Sequence, residues 1–310
     1  MISNTNASKE PSNVEYVDVH KYVGVASVNI VAVNPNNDKL RKYGWNIPEE
    51  ADEPNYVHTV ERDGKIIKSA RVRFLAQIQD LDDKPIVPMD FWCRQELCVN
   101  RDGSKCKVID VFGRTAWATK EDVQAHRVPQ YSNGPANISY PYRPCHVGEE
   151  ELVSFLMKYL NVTPFQIFDR KKNGYVNSTN PGRLTIDSWE SLCSGDAKEI
   201  REMLALQPEN KVKVILGIRS TDDNKSYQTF LNSGFLGNSN RIDVATGEYS
   251  FAKRIIDKWK EGKDDTMYSF SAFPVKEWKE TSTEVSDNAG TMFDDQGNYS
   301  LDDDDLPFGN

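Results

Sequence analysis

The chain has 310 residues, 38% of them hydrophobic, and a formal net charge of −9 at pH 7. That length supports one large domain or two ordinary ones around a real apolar core. A mean hydropathy of −0.63 and the lack of any run of about 18 apolar residues predict no membrane span. Five cysteines without a CxxC pair argue against a disulfide scaffold and for a reducing compartment, the cytoplasm.

Residues 1–13, "MISNTNASKEPSN", are polar and aperiodic, which predicts a disordered arm without the apolar centre of a signal peptide. "YVGVASVNIVAV" then reads as a strand stopped by "NPNN", and "DKLRKYGWNIPEEADEP" as a long polar loop. "YVHTV" and "KIIKSARVRFLAQI" flank "ERDG", a hairpin pattern. In the second arm Val72, Phe74, Ala76 and Ile78 alternate with Arg71, Arg73, Leu75 and Gln77, giving one apolar and one partly basic face. A second hairpin is expected from "MDFWCRQELCV" and "KCKVIDVFG" around "NRDGS", followed by a short helix over "TKEDVQAH" and a loop over residues 129–145.

Leu152, Phe155, Leu156 and Tyr159 have helical spacing behind three glutamates. Another helix is expected from Asp196 to Leu206, stopped by Pro208. "KVKVILGIRS" and "SYQTFL" read as paired strands, with Val212, Val214, Leu216 and Ile218 on one face and Lys211, Lys213 and Arg219 on the other. "FAKRIIDKWK" fits a last helix, and from about residue 261 the pattern dissolves. The expected class is therefore α+β: an OB-fold-like small β-barrel over residues 14–262 with a helical insertion at about 148–207. A disordered acidic C-terminal tail, with its linker, is expected over 263–310.

The charge sits unevenly. Beyond Lys279 the chain has nine acids and no Lys or Arg, so residues 1–279 carry as many acids as bases. A neutral body can hold a basic groove on one face.

The chain has no GxxxxGK[ST] loop, GxSxG elbow or HExxH helix, and His20, His58, His126 and His146 are isolated in sequence. No catalysed reaction is expected. Cys93, Cys98 and Cys106, completed by His126 or His146, are candidate zinc ligands, but their gaps exceed the usual C-x2–4-C pairs. The competing reading makes them small buried hydrophobes. No cofactor is expected.

Basic residues interleave with aromatics in several stretches: "KLRKYGW" (Lys39, Arg41, Lys42, Tyr43, Trp45), "FWCR" (Trp92, Arg94), "FGRTAW" (Arg114, Trp117), "SYPYR" (Tyr140, Tyr142, Arg143) and "FQIFDRKKNGY" (Phe168, Arg170, Lys171, Lys172, Tyr175). Arg73, Lys211, Lys213 and Arg219 add strand-borne cations. Cations track phosphates and rings stack unpaired bases, so the set points to single-stranded nucleic acid. The alternative is that each ring anchors its loop in the core and each cation is solvated surface.

The end of the chain, "SLDDDDLPFGN", places Asp302, Asp303, Asp304 and Asp305 directly before Leu306, Pro307 and Phe308. This acid-acid-acid-apolar-Pro-Phe ending resembles the C-terminal tip of bacterial single-stranded DNA-binding proteins. The plan of a β-rich body and an acidic tail is similar to that of phage replicative ones. The tip resemblance covers about the last ten residues, and no motif of the body aligns with those families. In the bacterial tip Phe is the last residue; here Gly309 and Asn310 follow, which leaves room for a cognate partner. The resemblance implies sequence-tolerant binding of single-stranded DNA in replication, recombination or repair, in the host-cell cytoplasm if phage-encoded. It also implies a tail that recruits a polymerase, helicase or primase and competes with DNA. The alternative is an adaptor or structural protein that docks basic partners through the tail and does not touch DNA.

Overall fold

The structure is a computed structural model that describes residues 20–62, 64–110, 115–119, 121–122, 142–161, 166–177, 189–192, 194–222, 225–231, 242–261 and 266–279. The expected N-terminal arm, the helix over "TKEDVQAH" beyond Asp122, and the acidic tail from residue 280 lie outside them.

The chain is α+β and mostly antiparallel. Its centre is β1 (Lys21–Val33), an almost continuous apolar run buried on both faces. One edge of β1 pairs with β10 (Val212–Ser220) through Gly24–Val28. The other pairs with β3 (Lys65–Ile78) through Val28–Val33, with a register shift between Ile30 and Ala32 that bends the strand. The Ile30 N–H at this irregularity donates instead to the Tyr159 hydroxyl, at 3.1 Å.

β3 pairs with β2 (Val57–Arg62) along its first half and with β4 (Ile86–Arg94) on its far edge. β10 pairs with β11 (Ser226–Leu231). The strand order β11-β10-β1-β3-β4 leaves β4 and β11 outermost. The sheet curls until Phe91 of β4 and Phe230 of β11 meet with ring centroids 5.1 Å apart. Among the described residues no backbone pairing joins β4 to β11, so the expected barrel is a curled, open sheet.

Between β4 and β10 the chain forms a small sheet of β5 (Lys105–Asp110), β6 (Thr115–Thr119) and β7 (Tyr142–Pro144). It continues through α2 (Glu149–Leu160), the pair β8 (Gln166–Asp169) and β9 (Gly174–Asn177), α3 (Trp189–Leu192) and α4 (Lys198–Ala205). The expected stripe of α2 is buried: Leu152, Phe155, Leu156 and Tyr159 enter the main core beside Phe74 and Phe91. Gly148 precedes the helix at φ 81°, where a Cβ would lie 1.9 Å from the Trp92 carbonyl oxygen, so no larger residue fits.

β7 lies within the stretch 129–145 expected to be loop, and four further features differ from expectation. The "DKLRKYG" loop contains α1 (Asn37–Lys42), capped by the Asn36 side chain accepting from the Lys39 N–H at 3.0 Å. The expected second hairpin forms only beside its "NRDGS" turn, where Val99 bridges Cys106 and the Asn100 and Lys107 N–H groups donate to the Lys105 and Cys98 carbonyls; β4 itself pairs with β3, and β5 with β6 and β7. β10 is buried on both faces from Val214 to Ile218. On its outer side Ile215 packs with Ala252 and Ile256 of α5 (Ser250–Lys260).

The fourth difference is the body's end. Past residue 262, where a linker was expected, β12 (Tyr268–Phe270) pairs with β10 and β13 (Lys276–Trp278) pairs with β1. β1 and β10 part beyond Gly24 and Leu216, and this segment fills the fork. Both strands carry glycine there: a Cβ at Gly24 would lie 2.7 Å from the Phe273 carbonyl oxygen, and one at Gly217 would lie 2.2 Å from the Phe270 ring. No helix among the described residues is long and apolar enough to cross a membrane.

Candidate nucleic-acid interface

The period-2 pattern of β3 sends Val72 and Phe74 into the core and Ser69, Arg71 and Arg73 to the other face. The register with β4 sets Ser69 opposite Arg94, Arg71 opposite Trp92 and Arg73 opposite Asp90. On the β2 side His58 lies opposite Ser69. Trp92 is 37% exposed on this face. Its ring centroid is 5.2 Å from that of His58, tilted 45°. The Arg71 guanidinium lies 5.5 Å from the Trp92 ring and 5.3 Å from the Tyr56 ring, and donates to the Asn55 carbonyl at 3.2 Å. Tyr56 is fixed by its hydroxyl, which donates to the Pro35 carbonyl at 2.7 Å.

Two titrations follow from this packing. Burial lowers the His58 pKa and the Arg71 charge lowers it further, so the neutral imidazole is favoured. Burial alone would raise Asp90, but the Arg73 charge and hydrogen bonds outweigh it and hold the carboxyl below its usual range.

The expected residues divide sharply. Arg73 is 7% exposed and makes a bidentate pair with Asp90, Nε to Oδ1 at 2.7 Å and Nη2 to Oδ2 at 2.5 Å, so its charge is matched within the fold. Trp45 is 6% exposed and belongs to a second core with Ala32, Leu40, Ile47 and Leu75. Tyr43 packs against that core, its hydroxyl 3.4 Å from the Val31 carbonyl. Arg41 donates to the carbonyls of Ile47 and Pro48, at 3.0 and 2.6 Å, tying the turn down. Of the cations and rings of this stretch, only Lys39 and Lys42 are exposed.

Arg94 is half-buried with its Nε 3.6 Å from Glu96. Arg143 pairs with the fully buried Glu149. Burial would raise that carboxyl, but hydrogen bonds from His146 and Arg143 lower it on balance. Arg170, Lys171 and Lys172 are exposed at the turn between β8 and β9, where Asp169 accepts from the Lys171 N–H at 2.9 Å. Lys211 is exposed. The Lys213 ammonium lies 5.0 Å from the Tyr249 ring, and the Arg219 guanidinium 5.7 Å from the Tyr268 ring. Both belong to β10, whose outer side α5 covers. Arg114, Tyr140 and the tip residues Asp302–Asp305, Leu306, Pro307 and Phe308 lie outside the described residues, as do the side chains of Tyr142, Phe168 and Tyr175.

Of the zinc candidates, His126 lies outside the described residues. Among the described residues no three of His, Cys, Asp and Glu are placed to hold a metal ion. Cys93 sits in the main core, and Cys106 packs with Val108 and Ala118. Burial raises the thiols of Cys93 and Cys98 and takes that of Cys145 far above its usual value.

The structure thus keeps Trp92 and Arg94 together and adds Arg71, His58 and Tyr56, which the site reading omitted. Arg71 was legible in principle: it shares the alternate face with Arg73. His58 and Tyr56 carry no local signal, because they reach the face only through the β2–β3 register. An exposed indole flanked by a guanidinium can stack a base on the ring and hold a phosphate on the cation. Comparison with family models, with curated proteins and with solved structures finds no match to this chain.

Proposed function

We propose that the chain binds single-stranded DNA, stoichiometrically and with tolerance of sequence, on an OB-type barrel, and serves phage replication, recombination or repair without catalysing a reaction. The strand order supports this: β1 is shared between β3-β4 and β10-β11, three of the helices, α2 to α4, enter between β4 and β10, and β4 curls toward β11. OB-folds are five-stranded, partly open barrels that bind oligonucleotides on the face of their second and third strands. Those positions correspond to β3 and β4. The observation that carries the reading is Trp92, exposed on that face beside Arg71. Lys39, Lys42, Arg170, Lys171 and Lys172 supply exposed charge for phosphates.

The acidic tail keeps Leu306 and Phe308 solvated until a replication partner with a basic rim and a small apolar pocket receives them, with Pro307 limiting the entropy lost on docking. Phe308→Ala keeps every charge, so it should lose the partner while leaving DNA affinity almost unchanged. Pull-down of the same partners by this variant would remove the tip's role.

The test of the main reading is titration with oligo(dT) followed by tryptophan fluorescence. Quenching at near-stoichiometric ratios that weakens with salt is the expected result. No quenching at low salt, with partner capture through the tail intact, would favour the adaptor.

A further inference from the structure

We propose that Trp117 is a second stacking platform for the same strand, so that the DNA path runs from the β3–β4 face onto the sheet of β5, β6 and β7. This rests on the single-stranded DNA reading above. Trp117 is 44% exposed, more than Trp92, and carries its own cation: the Lys107 ammonium lies 5.2 Å from the ring. A large ring held in water beside a charge is a common feature of surfaces that take a planar ligand.

The two rings are joined through a bent stretch of chain that follows β4. Beyond Trp92 the alternate residues are Arg94, Glu96 and Cys98. Arg94 lies 3.6 Å from Glu96, which puts those two side chains on one side. β4 ends at Arg94 and the chain bends at Gln95 and Glu96; past the bend Leu97 bridges His146 and Val99 bridges Cys106, which tie this stretch to the small sheet. The Lys107 N–H donates to the Cys98 carbonyl at 2.7 Å, setting those residues opposite each other. Lys107 is in turn the register partner of Trp117. Six residues of chain and two steps between strands amount to roughly 30 Å at most.

The charges along this path are already matched. Glu96 stands beside Arg94, and Glu150 takes the Lys107 ammonium while accepting from the Thr115 hydroxyl at 3.2 Å. Matched charges attract phosphate weakly. The indole face remains, and it accepts any base. Trp117 therefore adds affinity only for strands long enough to leave the Trp92 face, and adds it without steepening the salt dependence.

The experiment compares the full-length parent, Trp117→Ala and Trp117→Phe on oligo(dT) of about 5 and about 16 nucleotides, the range of single-domain site sizes. Each is titrated over a salt series. The short strand should bind all three alike. The long strand should bind Trp117→Ala about tenfold more weakly, with an unchanged slope of log K against log salt, and Trp117→Phe should recover most of the loss. A matching denaturation midpoint confirms that the alanine variant folds, and the phenylalanine variant carries the test if it does not. Parent-like binding of the long strand by Trp117→Ala, an equal loss at both lengths, or a shallower salt slope would each overturn the proposal. If the parent binds neither strand, the DNA reading itself falls and this inference falls with it; binding without a length effect sinks only the inference.

Discussion

The outer face of β3 has two ends, and they fare differently. Near Leu75 it is covered: α1 and the turn after it bring Leu40, Trp45 and Ile47 down on Ala32 and Leu75. Near Arg71 it is open, with Trp92 standing at the surface. Both ends are built from basic and aromatic residues. At the first, the sheet beneath is apolar, so the rings bury and the cations either cap carbonyls, as Arg41 does, or stay in water. At the second, the indole lies beside Arg71 and His58 and keeps 37% of its surface exposed. The identity of the residues across the ladder decides whether an aromatic-basic stretch becomes a lid or a platform.

That contrast can be broken by substitution. The largest effect belongs to the covered end: Trp45→Ala should cost about 3–5 kcal/mol of stability in chemical denaturation, as loss of a large core ring does. Oligo(dT) affinity of the folded protein should stay near the parent's. A stable Trp45→Ala protein that loses DNA would make that ring part of the interface instead.

Next is the pair between the two ends. Arg73→Ala leaves the Asp90 carboxylate without its bidentate partner. A cost of about 2–3 kcal/mol is expected, below that of a fully buried pair because a quarter of the Asp90 side chain is exposed. If Arg73→Ala kept its denaturation midpoint and instead flattened the salt dependence of binding, Arg73 would be a phosphate ligand after all.

At the open end Trp92→Ala should weaken oligo(dT) binding by about 1–3 kcal/mol while changing stability by less than about 1 kcal/mol. The opposite split, stability lost and affinity kept, would make Trp92 a packing residue.

The smallest effect concerns His58. Its folded-state pKa is lowered, so below the ordinary value near 6.5 the unfolded chain takes up a proton that the folded protein resists. Stability should be complete above that pH and fall as the pH drops from about 6.5 toward the folded pKa. His58→Gln should flatten this part of the profile, measured as denaturation midpoint against pH. An unaltered profile would assign the dependence to other groups.

Much of the fold was legible because it is periodic. The stripe of α2 and the alternation of β3 each declare one buried face, and both are found as expected. Where a second element covers the other face, alternation misleads: Ile215 reads as a solvent-side residue of β10 until α5 is placed over it. β12 and β13 are three-residue strands, "YSF" and "KEW", too short for any period. They exist because Gly24 and Gly217, far away in sequence, let their backbone approach. The candidate site is half legible for the same reason: Trp92 and Arg94 are sequence neighbours, whereas His58, Arg71 and Trp92 meet only through two strand registers.

The fork at Gly24 also sets an order of events during synthesis. The first residues of β1, Lys21–Val23, find their backbone partners in Lys276–Trp278, made some 250 residues later, or roughly 10–50 s at ordinary elongation rates. Until then that stretch of β1 and the far end of β10 are unsatisfied strand edges, the kind on which nascent chains pair wrongly. A chain halted near residue 262 would hold the main core yet keep this seam open. This seam is therefore closed only when β13 leaves the ribosome, and truncations ahead of Trp278 should show it as aggregation.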